Sequence, residues 1–228
     1  MAEKYVLRFN KTGYMIYISH LDLLRLFKRV FRACGIEIRY SMGFNPHPKL
    51  SFAQPLSLGY TGINEFLEFE TSSYYEPEII IESMREKMPE GVEITGCFSF
   101  NGGKSALAAL AESALYEIEL PLDTTDEDLS DCIESYLKKQ EIRVLKRRKK
   151  DKKYVETDIR PMIRKMDGQN KDGKAVIRVL LDCGSASNCS PELIISSFAE
   201  HMGKDIPRQM INVTRLAVNF SNNLQFKS

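Results

Sequence analysis

The 228-residue chain has no tryptophan, three histidines, and five cysteines with no pair at C-x-x-C spacing. Three histidines, of which His201 falls on the last expected helix, are too few for a multi-histidine metal centre. The cysteines Cys34, Cys97, Cys132, Cys183 and Cys189 are scattered and odd in number, which argues against a disulfide framework and a zinc site and for reduced, mostly buried thiols. Apolar runs are short: Ile79-Ile80-Ile81 and Ala106 to Ala111 fall far below the roughly 20 residues of a membrane helix. No signal peptide is expected, because a strand pattern follows Met1-Ala2-Glu3-Lys4 at once; no membrane is expected either, and the cytoplasm is the simplest location. The motifs G-x-S-x-G, H-E-x-x-H and G-x-G-x-x-G do not occur. Gly102-Gly103-Lys104-Ser105 fails as a phosphate loop because Phe98 stands where that motif needs glycine.

What remains is ordinary globular composition, 43% hydrophobic and 28% charged, enough for one large domain or two compact ones. The net charge of +1 conceals strong asymmetry. Residues 1–60 carry nine Lys/Arg against three Asp/Glu, residues 61–145 six against nineteen, and residues 146–228 seventeen against nine. Two basic regions around an acidic one suit a nucleic-acid partner, although an acidic face can equally be solvated surface.

Residues 4–10 alternate as a strand, and Ser19 to Ala33 follow the helical period with Leu23, Phe27, Val30 and Cys34 on one stripe. Ser19 and Asp22 form a capping-box-like start, and Gly35 marks the stop. A short strand at Glu37 to Ser41, a strand near Asn64 to Thr71, a helix near Glu76 to Met88 and a strand near Val92 to Phe100 complete β-α-β-β-α-β. The second half repeats the order: a strand at Ala114 to Leu120, a helix at Asp126 to Lys139, strands near Ile142 to Lys146, Tyr154 to Ile163 and Ala175 to Asp182, a helix from Pro191, and a strand at Ile211 to Phe220. The expected fold is α+β, two ferredoxin-like (βαββαβ) halves in tandem at 1–101 and 112–228, broken near Asn101-Gly102-Gly103-Lys104.

The most unusual stretch is Tyr40-Ser41-Met42-Gly43-Phe44-Asn45-Pro46-His47-Pro48-Lys49-Leu50-Ser51-Phe52. Each proline biases the residue before it to extended backbone, so Asn45 and His47 are expected on a stiffened loop. Two readings stand. In one, the prolines shape a turn, Phe44 and Phe52 fill the core and His47 bonds to backbone; in the other, Asn45 and His47 contact bases or phosphates and Lys49 supplies charge. His20, in the first turn of its helix where N–H groups favour anions, is a candidate for proton transfer and could meet His47 at one end of the sheet. Arg25, Lys28, Arg29 and Arg32 share the polar face of that helix. Lys146-Arg147-Arg148-Lys149-Lys150-Asp151-Lys152-Lys153 has cations enough for phosphate contacts, or for a merely exposed hairpin tip. Asp158 and Arg160 alternate with apolar residues and could point into a shared groove.

Tyr17-Ile18-Ser19-His20-Leu21-Asp22-Leu23-Leu24-Arg25, the Tyr40 to Phe52 stretch, and the later Thr157-Asp158-Ile159-Arg160-Pro161 resemble the bacterial radical-SAM-associated (radical-SAM-linked) protein family. Members occur fused to, or encoded beside, a radical-SAM enzyme with a cobalamin-binding domain, often near ribosomal-protein and ribonuclease genes. The resemblance therefore implies such a partner and an RNA context. No C-x-x-x-C-x-x-C motif is present, so the resemblance assigns the radical chemistry to the partner and no cofactor to this chain. The paired ferredoxin-like pattern is also similar in outline to CRISPR repeat-processing RNA endonucleases, an analogy of fold order only.

The leading expectation is an RNA-binding accessory protein that presents tRNA or rRNA to a cobalamin-dependent radical-SAM partner, with Tyr40, Phe44, Asn45 and His47 positioning a nucleotide. The alternatives are a metal-independent ribonuclease or RNA-modifying enzyme using His20 or His47 as general base, and a protein-docking module without RNA affinity.

Overall fold

The computed structural model describes residues 3–100, 105–148, 151, 153–221, 224 and 226. The fold is α+β, in two compact units: Met1–Ala111 with Ala217–Ser228, and Glu112–Leu216. The expected break at 101–104 lies outside the described residues.

In the first unit, β1 (Glu3–Lys11) is central, paired antiparallel with β3 (Thr61–Thr71) and β4 (Val92–Ser99); the short β2 (Leu50–Phe52) adds to β3. The strand order is β4-β1-β3-β2. Helix α1 (His20–Ala33) starts where expected. Ser19 Oγ accepts from the Asp22 backbone N–H at 3.1 Å, satisfying one of the donors a helix start leaves open. Its stripe of Leu23, Phe27, Val30 and Phe31 is buried, with Phe27 edge-on to Phe9 at 5.0 Å and Phe31 against Phe69 at 4.6 Å. Helix α2 (Pro77–Arg85) buries Ile80 and Met84 in the same core.

Glu37 to Ser41 forms isolated bridges and no strand. Ile38 pairs with Thr71 and Tyr40 with Pro48. Pro46 and Pro48 have no N–H to donate, which limits the pairing on the Tyr40 side to scattered bonds such as Ser41 N–H to the His47 carbonyl and Lys49 N–H to the Arg39 carbonyl.

The second unit opens, after the short α3 (Leu107–Leu110), on β5 (Ala111–Leu120), followed by α4 (Asp126–Leu137). The strands β6 (Arg143–Arg147) and β7 (Tyr154–Asp158) form a separate two-stranded sheet. Then come β8 (Ile163–Lys171), β9 (Lys174–Asp182), α5 (Pro191–His201) and β10 (Asn212–Phe220), the last within this unit as far as Leu216, in the order β10-β5-β9-β8. The expected strand from Tyr154 to Ile163 stops at Asp158, because Pro161 sits in a 3-10 turn at Arg160–Met162. The unexpected β8 accepts α4 closely: a Cβ at Gly168 would lie 2.8 Å from Ile133 Cδ1. Tyr136 and Ser197 join α4 to α5 by a buried hydroxyl–hydroxyl bond of 2.7 Å.

Candidate functional site

The polar face of α1 becomes one wall of a surface cleft of about 610 Å³ in the first unit, a volume within the usual range for ligand sites. Lys28, Arg29 and Arg32 contribute the charge of this wall, and Glu37 is the one acidic lining residue. Ile38 and Pro48 supply apolar surface over the buried Phe31 and Ile36, and Tyr40 stands in the lining, 55% exposed. The helical spacing puts the three cations together. The bridge between Tyr40 and Pro48 places the ring and the proline on the same cleft. Charge at one side and a ring with apolar surface at the other make a cleft suited to a planar group carrying an anion.

Beyond that bridge the chain makes a closed loop. The Ser41 N–H donates to the His47 carbonyl at 2.8 Å, the His47 N–H to Ser41 Oγ at 3.1 Å, and Ser41 Oγ and His47 Nδ1 share a hydrogen bond of 2.8 Å. Gly43 takes φ +133°, a conformation L side chains rarely adopt. The loop holds Met42, Phe44 and Asn45 outward, and the Phe44 ring is fully exposed. Phe52 is in the core as the bland reading required, but Phe44 is not. Lys49 is an ion-pair partner: its Nζ lies 2.7 Å from Glu70, which Arg39 also approaches at 3.4 Å.

His20 faces a different cavity. It opens α1, is itself exposed, and lines a narrow, partly open pocket of about 10 Å³, room for roughly one water, with Lys11, Gln54, Glu65 and Phe52. Its ring lies edge-on to Phe52 at 5.0 Å. Lys11 and Glu65 are only 2% and 3% exposed, and Lys11 Nζ donates to the carbonyls of Ile16 and Ile18 at 3.2 and 3.4 Å. Partial burial, and then the Lys11 ammonium, push the His20 pKa below its ordinary value, which favours a neutral imidazole able to accept a proton. Among the described residues no hydrogen bond or ring contact joins His20 to His47. Arg25 reaches back to Asp22 at 2.8 Å.

In the second unit, Lys146 Nζ donates to the Asn188 carbonyl at 2.5 Å, and Arg148 pairs with Asp151 at 3.0 Å. Arg147 lies opposite Tyr154 across the β6–β7 ladder. Lys149 and Lys150 lie outside the described residues. Asp158 Oδ1 accepts from the backbone N–H groups of Ile142 and Arg160 at 2.8 and 2.9 Å, and Arg160 Nε donates to the Leu137 carbonyl at 2.8 Å. Both side chains thus brace the turn that ends β7.

Lys11, Gln54 and Glu65 were not singled out from the sequence. The available signal was position: Lys11 follows Phe9 on the inward phase of β1, and Glu65 sits opposite Phe9 in the register. A charge at an inward strand position is unusual unless it is paired or bonded. Among the described residues no group of three or more His, Cys, Asp or Glu side chains could hold a metal ion, and no helix is long and apolar enough to cross a membrane.

Fold and site together define an α+β protein with a cation-walled surface cleft beside a proline-stiffened loop. The chain belongs to the bacterial family described as "Uncharacterized protein conserved in bacteria (DUF2344)", whose model matches residues 4–191. No curated protein matches it significantly. Among solved structures, an unknown protein from Galdieria sulphuraria aligns at 10% identity and a TM-score of 0.27, covering 95% of this chain and 100% of that one. A putative dyp-type peroxidase protein from Shewanella oneidensis aligns at 8% identity and a TM-score of 0.23, covering 89% and 84%. Scores this low assign no fold.

Proposed function

We propose that this chain is an RNA-binding accessory protein that presents tRNA or rRNA to a cobalamin-dependent radical-SAM partner in the cytoplasm and holds no cofactor itself. The observation that carries the reading is the cleft: Lys28, Arg29 and Arg32 would take phosphates while Tyr40 and the apolar lining take a base. The outward Phe44, Asn45 and His47 would contact the adjacent nucleotide. The resemblance to radical-SAM-associated proteins supports the partner. The strand orders β4-β1-β3-β2 and β10-β5-β9-β8 support two ferredoxin-like units, each with its first strand beside its last. Titration of purified protein with tRNA and rRNA fragments at low salt tests the reading; it predicts saturable, salt-sensitive binding, and no binding at low salt contradicts it.

A second reading, a metal-independent ribonuclease, draws on the His20 pocket. A neutral His20, its pKa held down by partial burial and then by Lys11, would take a proton from a ribose 2′-hydroxyl as that oxygen attacks the adjacent phosphorus, and the 5′ oxygen would leave and take its proton from water. Cleavage in the presence of chelator, lost in His20→Ala, would favour it over presentation.

A further inference from the structure

The β6–β7 hairpin of the second unit has a face that its own fold leaves uncovered. Residues directly opposite in an antiparallel pair point to the same side, so Leu145 and Arg147 share a face with Glu156 and Tyr154. The other face, carrying Val144, Lys146, Val155 and Thr157, is half-buried, and the Lys146 bond to the Asn188 carbonyl fastens it to its own unit. Towards the outside, Arg143 at the base is drawn to Glu141 and Glu156 at 2.7 and 3.2 Å. Further up, Leu145 and Tyr154 are each 67% exposed, with Arg147 across from Tyr154 and Lys153 next to it in the chain.

From this we infer that the outer face of the hairpin, centred on Tyr154 and Leu145, is a second stacking platform for single-stranded RNA, an inference that rests on the RNA-binding reading above. The charge at the face selects the occupant: Arg147 stands opposite Tyr154, and the acid of this face, Glu156, is drawn to Arg143 at 3.2 Å. A protein partner would have to be acidic where it meets Arg147 and apolar over Tyr154 and Leu145. Single-stranded RNA supplies both together, because phosphates and stackable bases alternate along one strand. Duplex RNA fits less well, since its bases are stacked on one another and its grooves present phosphates and 2′-hydroxyls. A ring on a short two-stranded ribbon, fixed on its inner face, is already oriented for a base to lie on it.

The test combines affinity with position. Tyr154→Leu should lower affinity for an unpaired oligonucleotide about tenfold with no change in salt dependence, because a stacking contact and no phosphate contact is lost. Tyr154→Phe should keep wild-type affinity, since the ring is retained. In wild-type protein, RNA carrying 5-iodouridine should crosslink on irradiation to the peptide containing Tyr154, a readout independent of how any variant folds. Unchanged affinity in Tyr154→Leu together with no crosslink in β6 or β7 overturns the inference. If the variant with Lys28, Arg29 and Arg32 neutralised loses RNA while Tyr154→Leu does not, the hairpin platform is wrong and the first-unit cleft stands. If wild-type protein binds no RNA at low salt, both fail.

Discussion

Neutralising the cleft wall with Lys28→Gln, Arg29→Gln and Arg32→Gln tests the electrostatics of RNA binding without touching the core. None of the three side chains joins an ion pair among the described residues, in contrast to Arg25, Arg39 and Lys49 on the same unit. Each is therefore available for a phosphate. On single strands each neutralised phosphate adds about 0.7 to the slope of log affinity against log salt, so three contacts contribute about 2. Between roughly 50 and 200 mM salt that slope corresponds to about a twentyfold loss of affinity, which wild type should show and the triple variant should lack. Fluorescence anisotropy with a labelled oligonucleotide across that range measures it. Stability should stay within about 0.5 kcal/mol of wild type, because Arg29 and Arg32 are exposed and Lys28 half-exposed. Equal slopes for the folded variant and wild type would refute the assignment of the cleft.

Ser19→Ala removes the cap of α1 and should cost about 1 kcal/mol in urea denaturation, since the Asp22 N–H loses its acceptor. Phe44→Ala should leave stability within about 0.5 kcal/mol yet weaken RNA binding, whereas Phe31→Ala, in the core, should cost about 3–5 kcal/mol by the same urea assay. A stability cost at Phe44 would mean the loop packs inward. His20 is held below its ordinary pKa in the folded state, so the unfolded chain takes up its proton first as pH falls. Its contribution is fully present above about pH 6.5 and is lost as pH drops towards the folded pKa. His20→Gln should flatten that part of the stability profile, leaving the parallel acid loss from His201, whose pKa burial also lowers. An unchanged profile would mean that neither its partial burial nor Lys11 bears on His20 in the folded state.

Much of the first unit was legible because its signals are local. The Ser19–Asp22 cap and the stripe from Leu23 to Val30 identified α1, and the prolines at 46 and 48 identified a displayed loop. The strand β8 was not legible, since of Ile163–Lys171 only Ile163 and Met166 are buried and the rest reads as polar surface. Pairing was the larger obstacle. Glu70 takes the charge of Lys49 because β2 aligns Leu50 with Phe69, and nothing near Lys49 in sequence foretells that register. The spacing of Lys28, Arg29 and Arg32 was visible as a basic face, but the cleft exists only because residues 35–40 run alongside that face and bring Tyr40 to it. Asp158 and Arg160, which alternate with apolar residues as groove-lining groups would, close a turn through the backbone groups of Ile142 and Leu137.

The most direct measurement is recovery of RNA crosslinked in cells to wild-type protein and to a variant carrying His47→Ala with Lys28, Arg29 and Arg32 neutralised. A defined tRNA or rRNA segment enriched with wild type and lost with the variant is the predicted result. Recovery of the same background RNA from both proteins would contradict the account.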